Sequence, residues 1–174
     1  MGILKALQTK VPRNVLYHLY NTLIYPYLQY CNIAWASHES IHTKRLFVLQ
    51  KKAIRIVCHA TWNAPSSPLF KKLHTLKFHD INKLQTGCLM YKLMNGIIPD
   101  LFNYNFIFNN QVHNYNTRQS KNLHEIRCKS STRKNTIRYL GPTLWNSLPI
   151  LLKTKTSIFC FSSSYKKLLR STYS

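Results

Sequence analysis

Acidic residues are nearly missing from this chain of 174: four carboxylates, Glu39, Asp80, Asp100 and Glu125, stand against 25 lysines and arginines, for a formal charge of +21. The four are well separated in sequence, so chemistry that needs two or three clustered acids has few candidates, and most hydrolase and metal-dependent polymerase mechanisms lose their basis. Glycine is as scarce, with four in the chain. Phosphate-cradling loops need glycines where the backbone closes on the ligand, and neither a G-x-x-x-x-G-K-[ST] loop nor a G-x-G-x-x-G turn occurs, which argues against nucleotide hydrolysis. H-E-x-x-H and G-x-S-x-G are missing as well. No apolar run approaches the roughly 18 residues needed to cross a bilayer. The start, Met1-Gly2-Ile3-Leu4-Lys5-Ala6, places Lys5 where a secretory signal needs apolar residues and Ala6 where myristoylation prefers Ser or Thr, so neither a targeting segment nor a membrane partner is expected.

Apolar residues, in contrast, are plentiful at 45%, and a chain of this length buries roughly 70% of its unfolded surface, enough for one domain or two small ones. Cys31, Cys58, Cys88, Cys128 and Cys160 contain no C-x-x-C pair. Their pattern suits buried free thiols in a reducing compartment, and hence an intracellular protein of nucleus or cytoplasm. His124 and Cys128 have ligand spacing, but a structural zinc needs four ligands, so neither metal nor cofactor is expected. Cys58 beside His59 is a poor nucleophile pair, because adjacent helical residues point about 100° apart.

Periodicity at threes and fours through Leu16, Leu19, Tyr20, Leu23, Ile24, Tyr27, Leu28 and Cys31 predicts a helix from about 13 to 35, kinked or restarted at Pro26. A second helix is expected from about Ser40 to His59, with capping oxygens in 37–40. Its apolar face would hold Leu46, Leu49, Ala53, Ile56 and Val57. Ser67 suits the cap of a short helix over 68–76, and a central helix apolar almost all round should run from about Asp80 to Asn95, closed by Gly96 and Pro99. From 103 to 135 helical periodicity fades while Arg118, Lys121, Arg127, Lys129, Arg133 and Lys134 accumulate, which reads as an extended, basic, loop-rich segment. A weaker helix follows Gly141-Pro142, and an amphipathic one closes the chain from about 157 to 169. The fold class is therefore mainly α: a small bundle of about six helices with an extended basic segment. Its divisions are a lead over 1–12, a helical body over 13–102, a basic linker over 103–140 and a helical extension over 141–174.

A charge of +21 with so few counter-ions repels itself, and a polyanion relieves it most readily. Nucleic acid is thus the expected partner. On the second helix Lys44, Lys51 and Arg55 share one stripe and Arg45 with Lys52 a second, so five cations face away from the apolar side, suited to phosphate contact. Cations also interleave with aromatics, including Tyr17, Tyr20, Tyr25, Tyr27, Tyr30, Trp35, Trp62, Tyr91, Tyr104, Tyr115, Tyr139 and Trp145. Most should be core or rim; Trp62 and Tyr115, outside the strongest helical patterns, are the candidates to stack on unpaired bases.

Several phrases, in order, resemble the region after the catalytic palm in reverse transcriptases of non-LTR retrotransposons, the jockey-like and related LINE elements. They are Leu23-Ile-Tyr-Pro-Tyr-Leu-Gln-Tyr-Cys-Asn32 with Trp35, Leu49-Gln-Lys-Lys-Ala-Ile-Arg55, Asn95-Gly-Ile-Ile-Pro99 with Phe102, His113-Asn-Tyr-Asn-Thr-Arg118, Gly141-Pro-Thr-Leu-Trp-Asn-Ser-Leu-Pro149, and the stretch from Phe161 to Lys167. The resemblance implies that the first helices belong to a thumb gripping the template–primer duplex and the rest to a carboxyl-terminal extension. Its basic face at Lys44, Lys51, Lys52 and Arg55 would hold phosphates. His113, Tyr115, Thr117 and Arg118 match a recurring family phrase that is either a structural tie or an RNA contact. Two-metal polymerisation needs palm carboxylates including an Asp-Asp pair, and no two acids are adjacent here. The expected function is a non-catalytic nucleic-acid-binding module, with Lys44, Arg45, Lys51, Lys52, Arg55, His113, Tyr115, Arg118, Arg133 and Lys134 as contact residues. The alternatives are a transposon remnant with no selected role, and part of an active polymerase once joined to a palm domain.

Overall fold

The computed structural model describes residues 2–37, 40–99, 106–113, 115 and 117–173. Glu39, Asp100 and Tyr104, with the start of the basic segment at 103–105 and Phe102 of the family phrase, lie outside the described residues. The described chain is mostly helical, in agreement with the sequence reading. Its elements are α1 (Gly2–Leu7), α2 (Arg13–Leu23), α3 (Tyr25–Gln29), α4 (Asn32–Trp35), α5 (Ile41–Val57), α6 (Ser66–Lys72), α7 (Phe78–Met94), α8 (Asn109–Val112), α9 (Ser131–Lys134), α10 (Ile137–Ser147), α11 (Ile150–Lys153) and α12 (Ile158–Ser171). Six of these, α2, α5, α6, α7, α10 and α12, have seven or more residues.

Two compact units emerge, residues 1–82 with 166–174, and residues 83–165. The units change over inside α7 and α12. In the first unit α1 packs on α2 and α5, α2 on α3 and α5, and α5 on α6. Leu4, Leu16, Tyr20, Ala53, Ile54, Val57 and Phe70 form its core. The helix expected over 13–35 is broken twice, at Ile24 and at Cys31, whose φ of 46° is left-handed. Pro26 sits in the first turn of α3, where its lacking N–H costs nothing.

Gln50 is 1% exposed, and its amide is fully used. Nε2 donates to Tyr20 Oη at 3.0 Å and to the Leu76 carbonyl at 2.9 Å, while Oε1 accepts from the Phe78 N–H at 2.8 Å. This turns the buried face of α5 away from the expected one. Thr43, Gln50, Ala53, Ile54 and Val57 face inward, and Leu49 is exposed. A satisfied amide removes the cost of burying Gln50.

Helix α5 begins as read, with the Ser40 hydroxyl accepting from the Thr43 N–H and the Thr43 hydroxyl from the Ser40 N–H. Helix α6 starts earlier than expected, with Pro65 at the cap; the Ser67 hydroxyl instead accepts from Lys77 Nζ at 3.1 Å. Helix α10 also begins earlier and carries Gly141-Pro142 inside it.

In the second unit Tyr91 stacks on Phe161 at 4.8 Å between centroids, and Trp145 and Tyr165 lie against the same ring. Tyr91 Oη donates to the Lys155 carbonyl at 2.5 Å. The described part of the basic segment is not simply extended: it contains α8, α9 and an antiparallel bridge between Phe108 and Leu123. Asn146 on α10 ties that bridge down, its Oδ1 accepting from the Leu123 N–H and its Nδ2 donating to the Leu123 carbonyl, at 3.0 and 2.9 Å.

None of the five cysteines forms a disulfide, and none is buried as expected; Cys31 and Cys160 are exposed and the others half-buried. Helix ends explain part of this, since Cys31 and Cys58 occupy caps rather than packed faces. Among the described residues no helix is long and apolar enough to cross a membrane.

Candidate nucleic-acid interface

The five cations of α5 divide into two kinds. Lys44, Arg45 and Lys52 are exposed, whereas Lys51 and Arg55 are half-buried. Lys51 Nζ sits 4.7 Å from the centre of the Phe47 ring, and Arg55 Nε donates to the Ala64 carbonyl at 2.8 Å. Arg55 therefore braces the chain after α5, a role the spacing of charges did not reveal. The outer side of α5 also carries Ile41 and Val48, which are exposed. It is a mixed surface in which cations alternate with apolar groups.

In the second unit, Asn109 ties together residues 119, 122 and 124. Its N–H donates to the Asn122 carbonyl at 3.0 Å, its Nδ2 to the Gln119 carbonyl at 2.9 Å, and its Oδ1 lies 3.2 Å from His124 Nδ1. An open cavity beside it is lined by Asn109, His113, Thr117, Arg118, Gln119 and His124. His113 and Arg118 are thus brought to one place. The Nδ1 atom of His113 is buried and has no hydrogen-bond partner among the described residues, and its ring lies 6.0 Å from that of Tyr115, which is 78% exposed. Arg133 and Lys134, both exposed, occupy the last turn of α9, where cations complement the helix dipole.

Of the two aromatics singled out for stacking, Trp62 is 82% exposed and Tyr115 nearly as much; Tyr27 and Tyr30 are equally open, while Tyr20, Tyr91 and Trp145 are buried. Tyr27, which the helical period counts among the recurring apolar positions, is thus one of the open rings.

Among the described residues no group of three or more His, Cys, Asp or Glu could hold a metal ion. The two described carboxylates are both engaged, Asp80 Oδ2 accepting from Tyr173 Oη at 2.6 Å and Glu125 Oε1 from Asn146 Nδ2 at 3.0 Å. Burial pushes the Cys58 thiol up, outweighing the opposing pull of Arg13 and Lys72, which disfavours a thiolate nucleophile. Comparisons of the chain with protein-family models, with curated proteins and with solved structures find no match.

Proposed function

We propose that the chain is a non-catalytic nucleic-acid-binding module, equivalent to the thumb and post-palm extension of a non-LTR retrotransposon reverse transcriptase. It grips backbone phosphates of RNA, DNA or a hybrid. The observation that carries this reading is that none of the 25 lysines and arginines is buried. A surface so charged attracts a phosphate backbone and gains further from the counterions that the nucleic acid releases. Exposed rings at Trp62 and Tyr115 add sequence-tolerant stacking for unpaired bases. A palm domain supplied by a longer chain is a second expected partner.

The test is a fluorescence-anisotropy titration of labelled duplex and single-stranded oligonucleotides. With about six phosphates neutralised, duplex affinity falls on the order of a thousandfold between roughly 50 and 200 mM salt. Replacing Lys44, Arg45 and Lys52 together by Gln lowers the slope of log affinity against log salt by about three. Flat affinity over this range overturns the reading, and primer extension by the isolated chain with magnesium overturns its non-catalytic part. A decayed fragment is the second reading, favoured by the exposure of Ile150, Leu151 and Phe159, each at 75% or more. Broad, non-cooperative melting with aggregation supports that reading.

A further inference from the structure

A second polar cleft is lined wholly by residues of the unit formed by 1–82 and 166–174, none of them from α5. Tyr17, Asn21, Tyr25, His74, Lys166 and Arg170 line it, and among the described residues no carboxylate does. Its shape follows from local structure. Helix α6 ends with His74 in the left-handed region at φ 52°, closed by the Thr75 N–H donating to the Phe70 carbonyl at 3.1 Å. That turn presents the His74 carbonyl, which accepts from Arg170 Nη1 at 3.2 Å, while Arg170 Nε donates to the Lys166 carbonyl one turn back at 3.3 Å. The guanidinium is thereby fixed with its remaining N–H groups unused by these two bonds. Lys166, four residues earlier on α12, projects from the same face.

Opposite the two cations stand neutral donors. Neither the Asn21 amide nor the Tyr25 hydroxyl has a hydrogen-bond partner among the described residues. Burial raises the Tyr25 pKa, so the phenol stays protonated as a donor at neutral pH. Asp80, the one carboxylate among the described residues of this unit, is taken up by Tyr173. These groups line the cleft from α2, α3 and α12 rather than from one planar fork. A tetrahedral oxyanion matches such an arrangement better than a planar carboxylate does.

We propose that this cleft is a phosphoryl-group site, with Lys166 and Arg170 supplying charge and Asn21 and Tyr25 supplying neutral hydrogen bonds. The occupant is either free phosphate or a phosphate of a nucleic acid. The proposal does not depend on the nucleic-acid reading, because its residues are not those of α5 or of the 107–124 region.

The experiment is a titration of the full chain with inorganic phosphate at constant ionic strength, followed by amide and tyrosine NMR signals. Shifts are expected at Asn21, Tyr25, 74–76 and 166–170. Lys166→Gln weakens phosphate binding about tenfold and Tyr25→Phe about threefold. Neither removes a bond described above, and unchanged spectra elsewhere show that both variants are folded. A parallel titration with a short oligonucleotide identifies the source. If the same signals move, are displaced by phosphate and weaken in Lys166→Gln, the site takes a nucleic-acid phosphate; if they stay still while inorganic phosphate moves them, it takes the free ion. Phosphate shifts spread over every lysine-bearing segment, or an affinity unchanged in both folded variants, overturn the proposal.

Discussion

Two glycines and one tyrosine show how single atoms set limits on this chain. A Cβ on Gly87 would lie 2.7 Å from Cε1 of Tyr165, a ring 2% exposed and packed against Phe161. On Gly141 the nearest atom would be Met90 Sδ at 2.6 Å, a thioether that can turn aside more readily than a ring. Gly87→Ala therefore lowers the urea midpoint, its overpacking cost of about 1–3 kcal/mol exceeding the roughly 1 kcal/mol of regained helix propensity. Gly141→Ala costs less, and an equal loss in both variants contradicts this ranking. Tyr173, 2% exposed, is held from both sides: its Oη donates to Asp80 and accepts from the Lys77 N–H at 2.9 Å. Burial, then the bond to Asp80, push its pKa up, and burial does the same to Tyr20 and Tyr25. A phenol whose folded pKa exceeds its unfolded value of about 10 contributes stability that is complete below that value and is lost as pH rises through the folded one. The urea midpoint accordingly falls above about pH 10. Tyr173→Phe is less stable at pH 7 by about 1–3 kcal/mol, but its midpoint falls less steeply above pH 10. Parallel pH profiles for the two proteins rule out this account.

Helix ends carry the clearest lesson at the scale of elements. Helices α5, α6 and α7 each finish with a left-handed residue, His59, His74 and Gly96, and each turn is closed by an N–H bonding five residues back, Ala60 to Arg55, Thr75 to Phe70 and Ile97 to Lys92. Only Gly96 was legible, because glycine alone takes positive φ without a steric cost, whereas a histidine there gives no compositional signal. His59 is exposed, so His59→Gly removes a left-handed penalty of about 1–2 kcal/mol against a smaller entropic loss. The expected net gain is about 0.5–1 kcal/mol, read as a higher urea midpoint at unchanged slope; a loss would show that the histidine ring contributes more than its backbone strain costs. The Ser40 start of α5 was also legible, since its hydroxyl and that of Thr43 form a local reciprocal pair. Gly141-Pro142 was not, because a proline reads as a break in sequence although α10 continues through it. The cations of the candidate interface were visible as charge on α5. That Arg55 braces Ala64 depends on the path of the chain after the helix, which no spacing rule encodes.

For the whole molecule one imbalance has two consequences of opposite sign. Twenty-five cations and four carboxylates raise the energy of the compact state through mutual repulsion, so counterions stabilise the fold. The same counterions compete with phosphates, so they weaken binding. Raising sodium chloride from about 50 to 500 mM shortens the Debye length from roughly 14 to 4 Å, less than the spacing of most surface charges. Thermal and urea midpoints should therefore rise over this interval while oligonucleotide affinity falls. Chloride is the informative salt, because sulfate and phosphate also strengthen apolar burial and phosphate would occupy the proposed cleft. The Lys44, Arg45 and Lys52 triple Gln variant separates repulsion from general salt effects, since with three charges fewer it should start from a higher midpoint at low salt and gain less from chloride. A midpoint that declines with chloride in both proteins would mean that attractive pairs outweigh repulsion in the fold. The electropositive surface would then be neutralised from within, and the physical basis for a polyanionic partner would go with it.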